Sequence, residues 1–133
     1  MRILGIDYGA KRVGLAMSDP TATFAQPYSV VRNSRGLIDE IHAIVLKEEI
    51  SAIVIGESTD FKGKDNLIME AIREFKNELE ETLATAAQKI AVIFEPEFLS
   101  SHQAEYFQGK HDLLDASAAA IILQSYLDKK KNI

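Results

Sequence analysis

Cysteine is absent from the 133-residue chain, which excludes disulfides, thiolate nucleophiles and cysteine-ligated zinc or iron–sulfur centres. Three histidines occur, and they form no ligand cluster. His42 falls within a helical pattern, His102 follows Ser100-Ser101 in a helix-cap spacing, and His111 abuts Asp112. The glycines are scattered, so no phosphate-cradling loop of the P-loop or dinucleotide-binding kind is present. No apolar run approaches a membrane span, and the opening segment reaches Asp7 too soon for a signal peptide. A soluble, cytoplasmic protein with no membrane partner is the expectation. Basic charge is also in short supply: 15 Lys and Arg against 20 Asp and Glu give −5. That excludes a polybasic, histone-like binder but not a nucleic-acid enzyme, because the distribution of charge matters more than its sum.

What is present suits an ordinary globular chain, 47% hydrophobic and 26% charged. The length fits one domain over residues 1–133, able to bury about two-thirds of its unfolded surface. Much of the negative charge sits in one place. Asp65, Glu70, Glu74, Glu78, Glu80 and Glu81 stand against only Arg73 and Lys76, leaving the rest of the chain nearly balanced.

Ile3, Leu4 and Ile6 form a short apolar run closed by Asp7-Tyr8-Gly9, which reads as a buried strand meeting a turn. Val13 to Met17 reads as a second strand, so close behind that the pair must be an antiparallel hairpin. A third strand is expected at Tyr28 to Val31, after Pro27. From Gly36 the period becomes helical, with Leu37, Ile41, Ile44 and Val45 on one face. Ala52 to Gly56 has the β-branched, wholly apolar character of a strand buried on both sides. A polar loop leads to a helix over about 66–83, with Leu67, Ala71, Phe75 and Leu79 to one side. Ile90 to Phe94 is the last strand, expected to stop at Glu95-Pro96. A short helix over 101–107 and a final one over about 112–129 complete the pattern. Strands alternating with helices imply parallel pairing in the second half, and the hairpin implies antiparallel pairing in the first. The expected fold is α/β, a mixed five-stranded sheet with helices on both faces.

Among the polar residues, Asp7 ends a buried strand and is followed by Gly9 and the pair Lys11-Arg12. A carboxylate there can hold a cation, or it can bond its own turn backbone, and spacing alone leaves both open. Glu95 and Glu97 are two apart, so an extended chain puts them on one face. Asp112 and Asp115 are three apart at a helix start, which suits a capping box as well as a shared ligand face. Acids at the ends of two strands and one helix suit a hard divalent cation, which takes oxygen ligands and substrate phosphates together. Lys11 and Arg12 stand beside Asp7 as phosphate-binding candidates, whereas the Lys129-Lys130-Lys131 run suits a solvated helix end. Glu57 and Glu95 are expected to make the mouth of the site more negative.

The run Gly5-Ile6-Asp7-Tyr8-Gly9-Ala10-Lys11-Arg12-Val13-Gly14-Leu15-Ala16-Met17-Ser18-Asp19 closely resembles the opening motif of the YqgF (RuvX) family. The run Leu114 to Leu127 resembles that family's closing helix, and the element order matches over essentially the whole chain. The family comprises Holliday junction resolvase-like proteins described as pre-16S ribosomal RNA nucleases, with an RNase H-like fold. The resemblance implies that Asp7, Glu97 and Asp115 are the metal-binding, catalytic acids, served by Mg²⁺ or Mn²⁺. It implies a phosphodiester hydrolase acting on RNA (pre-rRNA) or branched DNA, with the ribosome as a further partner. The chain departs from the family's pattern in two segments: Phe98 stands where it has arginine and Pro96 where it has aspartate, and the loop after the fourth strand is Gly56-Glu57-Ser58 where it usually has Gly-Leu-Pro. Two other readings compete with the nuclease. One is a non-catalytic nucleic-acid or ribosome-associated factor retaining the fold. The other is a fragment of the actin-like ATPase and sugar-kinase class, which needs two such domains where this length supplies one.

Overall fold

The computed structural model describes residues 1–57, 68–84, 89–96 and 114–131, with residues 114, 115 and 131 placed by their backbone. Its first two strands, β1 (Arg2–Tyr8) and β2 (Arg12–Ser18), form the expected antiparallel hairpin, with Asp7 in register with Gly14. β3 (Ala25–Arg32) pairs antiparallel with β2 and starts before Pro27 rather than after it. The proline is accommodated because β3 is an edge strand and the register shifts where Pro27 meets Ala16. Helix α1 (Leu37–Lys47) then leads to β4 (Ile50–Glu57), which lies parallel to β1. Helix α2 (Met69–Leu83) leads to β5 (Ala91–Pro96), parallel to β4. The last described element is α3 (Leu114–Lys131). The sheet order is β3-β2-β1-β4-β5, mixed as expected.

Side-chain alternation divides the interior into two layers. Leu4 and Ile6 of β1 join Val13, Leu15, Ile53 and Ile55 beneath α1 and α2. Tyr8 continues that row, its ring 4.9 Å from that of Phe75 on α2. The other face carries Ile3, Ala16 and Val54, covered by Ala119, Ala120, Ile122, Leu123 and Leu127 of α3. The small residues there let the helix lie close. A Cβ built on Gly5 would meet Leu123 Cβ at 2.8 Å and the Ala119 carbonyl oxygen at 3.0 Å. α2 buries Met69, Ile72, Phe75, Leu79 and Leu83, so its inner stripe is centred away from Ala71, which is half-buried. The expected helix over 101–107, the loop over 58–65 and the first residues of the helix expected from 66, with Leu67, lie outside the described residues.

β5 runs through Glu95 and Pro96 instead of stopping at Phe94. Like β3 it is an edge strand, where a proline costs the sheet little, and Glu95 is held by α3 as described below.

The β2–β3 turn is organised by Asp19, whose carboxylate accepts the backbone N–H groups of Phe24 and Thr23, both at 2.8 Å. It also accepts the Thr21 hydroxyl and, at 3.3 Å, the Thr21 N–H. The Phe24 amide, the Thr21 hydroxyl and the Thr23 amide together hold the Asp19 carboxyl well below the usual carboxylate range. Because the folded-state pKa is lowered, this contribution to stability is complete above about pH 4 and is lost as the pH falls below it. Asp19→Asn is therefore expected to flatten the acid limb of stability against pH, read by urea unfolding from roughly pH 2 to 5. An acid limb identical to that of the unsubstituted protein would show that the turn bonds do not couple to folding.

Candidate functional site

The three parallel strands β1, β4 and β5 end at one edge of the sheet, the place where open α/β sheets gather ligands. Asp7 lies at this edge within β1 itself, in the ladder with β2. Alternation from Ile3 and Gly5 places it on the face covered by α3, and it is half-buried. Its cross-strand neighbour is Gly14, which has no side chain to stand beside the carboxylate.

Asp115 lies in the first turn of α3, four residues before Ala119, eight before Leu123 and twelve before Leu127. That spacing puts position 115 on the helical stripe that rests against the sheet at Gly5. Asp7 is two residues beyond Gly5 on the same face. The structure thus rests α3, the helix that carries Asp115, on β1 two residues before Asp7, with Ala119 and Leu123 at the contact. Glu97 follows directly on the last residue of β5, and it lies outside the described residues, as do His111 and Asp112. Among the described residues, no group of three or more His, Cys, Asp or Glu side chains is placed to hold a metal ion.

Of the two basic candidates, Lys11 sits in the turn joining β1 to β2 and Arg12 is the first residue of β2, and both are exposed. Gly9 is required there: a Cβ would approach the Arg12 carbonyl oxygen to 2.5 Å. Asn33, just past β3, clamps this turn from outside. Its side-chain amide donates to the Gly9 carbonyl at 2.8 Å, and its backbone N–H donates to the Lys11 carbonyl at 2.9 Å. Arg32 is in register with Arg12, so a second strand adds an exposed cation to the same corner. Neither Asn33 nor the Arg12–Arg32 pairing was legible from spacing, because both depend on how β3 registers against β2.

Glu95 corrects an expectation. It is only 3% exposed, on the α3 face of β5, and it does not add free charge to the mouth of the site. Its Oε2 accepts the Ser125 hydroxyl at 3.1 Å and the Lys129 ammonium at 2.5 Å. Lys129 is therefore an ion-pair partner and not merely a solvated helix end, although its side chain is 60% exposed. Lys130 lies over the Tyr126 ring, 5.7 Å from its centroid. Glu57, in contrast, is half-buried at the end of β4. On the other flank, Gln124 accepts the Ala25 N–H at 2.8 Å and donates to the Thr23 carbonyl at 3.1 Å. α3 is thus tied to both edges of the sheet.

A family model described as RuvX, Holliday junction resolvase, matches residues 1–129. A protein of Caldanaerobacter subterraneus subsp. tengcongensis named "Putative pre-16S rRNA nuclease" is 35% identical, over 99% of this chain and 99% of its own. The protein of the same name from Maridesulfovibrio salexigens is 36% identical, over 96% of this chain and 98% of its own. Among solved structures, Thermus thermophilus RuvC aligns with a TM-score of 0.62 at 16% identity, covering 99% of this chain and 97% of its own. The Fowlpox virus resolvase in complex with Holliday junction DNA aligns at 0.60 and 12% identity, covering 98% and 99%. At such identities the structural likeness bears on the fold, which is the RNase H-like one expected.

Proposed function

Because this chain belongs to the RuvX family, we propose that it is a nuclease that hydrolyses phosphodiester bonds in structured RNA, with pre-16S rRNA as the substrate and 5′-end maturation as the task. Asp7, Glu97 and Asp115 are the acids assigned to a divalent cation. The observation that carries the reading is the contact of α3 with β1 at Gly5, which joins the helix carrying Asp115 to the strand that ends with Asp7 and Tyr8. The donor set fits the ion: carboxylate oxygens alone, in a chain without thiolates, suit Mg²⁺ or Mn²⁺. When bound, such an ion would lower the pKa of an attacking water and offset charge on the leaving 3′ oxygen. The protein's part is to fix its carboxylates on regular elements and to admit the substrate backbone. Asp7 is held in a strand, in register with Gly14 of β2. Lys11 and Arg12 meet phosphates from the turn that Asn33 keeps in shape and from the first residue of β2.

The test is cleavage of labelled 5′-extended 16S precursor RNA, duplex DNA and a four-way DNA junction with Mg²⁺, with Mn²⁺ and with EDTA. Metal-dependent cleavage of the precursor RNA is expected. Cleavage of the junction alone would move the substrate to branched DNA, which the family's description favours as the second reading. Binding without cleavage under every condition would leave a non-catalytic factor.

The basic turn has its own test. Replacing Lys11 and Arg12 together by alanine is expected to weaken RNA binding and to make the salt dependence of log K shallower by roughly one to two units. A slope equal to that of the unsubstituted protein would remove both residues from the phosphate path.

A further inference from the structure

Glu95 is a costly residue to bury for stability alone. A carboxylate taken out of water loses hydration that one ion pair scarcely restores, and a well-packed apolar side chain would fill the same place as well or better. What a paired carboxylate supplies is direction, because its partners must approach one oxygen from fixed angles. Both partners here lie on α3, one helical turn apart, and both reach Oε2. Resting on the nuclease reading above, we infer that Glu95 is a positioning residue, whose bonds to Ser125 and Lys129 tie α3 to the end of β5 and so set the helix that carries Asp115 relative to the strand ends.

Glu95 stands one residue before the end of β5, and Asp7 stands one residue before the end of β1. Ser125 follows Asp115 by ten residues on a continuous helix, a distance of about 15 Å. Over that length roughly 4° of helix tilt moves the first turn by about 1 Å. A displacement of that size is enough to cost on the order of a hundredfold in rate. Gln124 anchors the same part of the helix to Ala25 and Thr23 on the opposite side of the sheet. The two clamps together leave α3 little freedom to swing across the sheet. Lys129 also occupies Glu95, which keeps this acid from competing for the cation.

The test compares the wild type with Glu95→Leu combined with Lys129→Met, and Lys129→Met with Lys129→Arg. Mn²⁺ affinity is measured by calorimetry on the protein without nucleic acid, alongside Tm, KM and kcat. The apolar double variant is expected to stay folded and keep its KM, while Mn²⁺ affinity falls on the order of tenfold and kcat falls with it. Lys129→Arg preserves the pair and is expected to keep wild-type affinity, whereas Lys129→Met is not. A pair that merely stabilises the fold would lower Tm and leave Mn²⁺ affinity unchanged, which would overturn the inference. Should the double variant unfold, equal Mn²⁺ affinities for Lys129→Met and Lys129→Arg would overturn it just as well. If the wild type cleaves and binds Mn²⁺ and the double variant matches it, only the positioning role falls. If the wild type does neither, the metal-nuclease reading falls, and this inference with it.

Discussion

Asp7→Asn is expected to lower cleavage by about a hundredfold to ten-thousandfold while leaving the protein folded and able to bind nucleic acid. Asparagine keeps the shape and one oxygen of the side chain but removes the charge that draws a divalent cation and supports deprotonation of water. β1 does not need that charge to form. Its register with β2 and β4 is set by backbone bonds and by Leu4 and Ile6 in the core. Relief of repulsion among neighbouring acids is expected to leave Tm unchanged or raise it in EDTA. One negative charge fewer opposite a phosphate is likewise expected to leave RNA affinity equal or slightly better. Wild-type cleavage by the variant would refute the assigned metal site. Loss of the fold would instead make Asp7 a structural residue of the strand end.

The second large effect is expected at a residue with no functional group. Gly5→Ala places a Cβ 2.8 Å from Leu123 Cβ and 3.0 Å from the Ala119 carbonyl oxygen, and neither neighbour can rotate out of the way. Ordinary contact between such atoms needs about 3.5–4.0 Å, so α3 must lift by roughly 1 Å. Overpacking of this kind costs about 1–3 kcal/mol, which corresponds to a Tm lower by several degrees. The helix that lifts is the one carrying Asp115, so cleavage is expected to drop on the order of a hundredfold, beyond what partial unfolding explains. Thermal unfolding and single-turnover cleavage on the same preparation separate the two effects. A variant as stable and as active as the wild type would mean that α3 does not rest on β1 at this point.

The layout of the sheet was legible because each strand announces itself differently. The hairpin is compelled by the few residues between Ile6 and Val13, and the parallel half by helical patterns standing between apolar runs. Boundaries were misread where tertiary context outweighed a local signal. Pro27 and Pro96 both lie inside strands because both strands are edges, which no local pattern reveals. Asp7 was legible as a candidate through its place at a strand end, and the family motif around it raised that to a role. Glu95 was not. Its burial and its bonds to Ser125 and Lys129 join residues thirty and more positions apart, and an acid beside Glu97 reads along the sequence as one more exposed charge. Gln124 and Asn33 were missed for the same reason, since each is an ordinary polar residue until the partner it reaches is known.

The division of the sheet into two apolar faces also bears on how the molecule is made. α1 and α2, which cover one face, are synthesised between the strands they pack against, so that side closes as the sheet grows. The other face waits. Among the described residues, the cover of Ile3, Ala16 and Val54 comes from α3, which leaves the ribosome's exit tunnel after every other described element. Through that interval a nascent chain carries a greasy, unroofed surface with a notch at Gly5, the kind of surface that holding chaperones recognise. On the proposed reading, the same delay works as a safeguard. Asp115, one of the three acids that reading assigns to the cation, reaches the sheet with α3 and not before it.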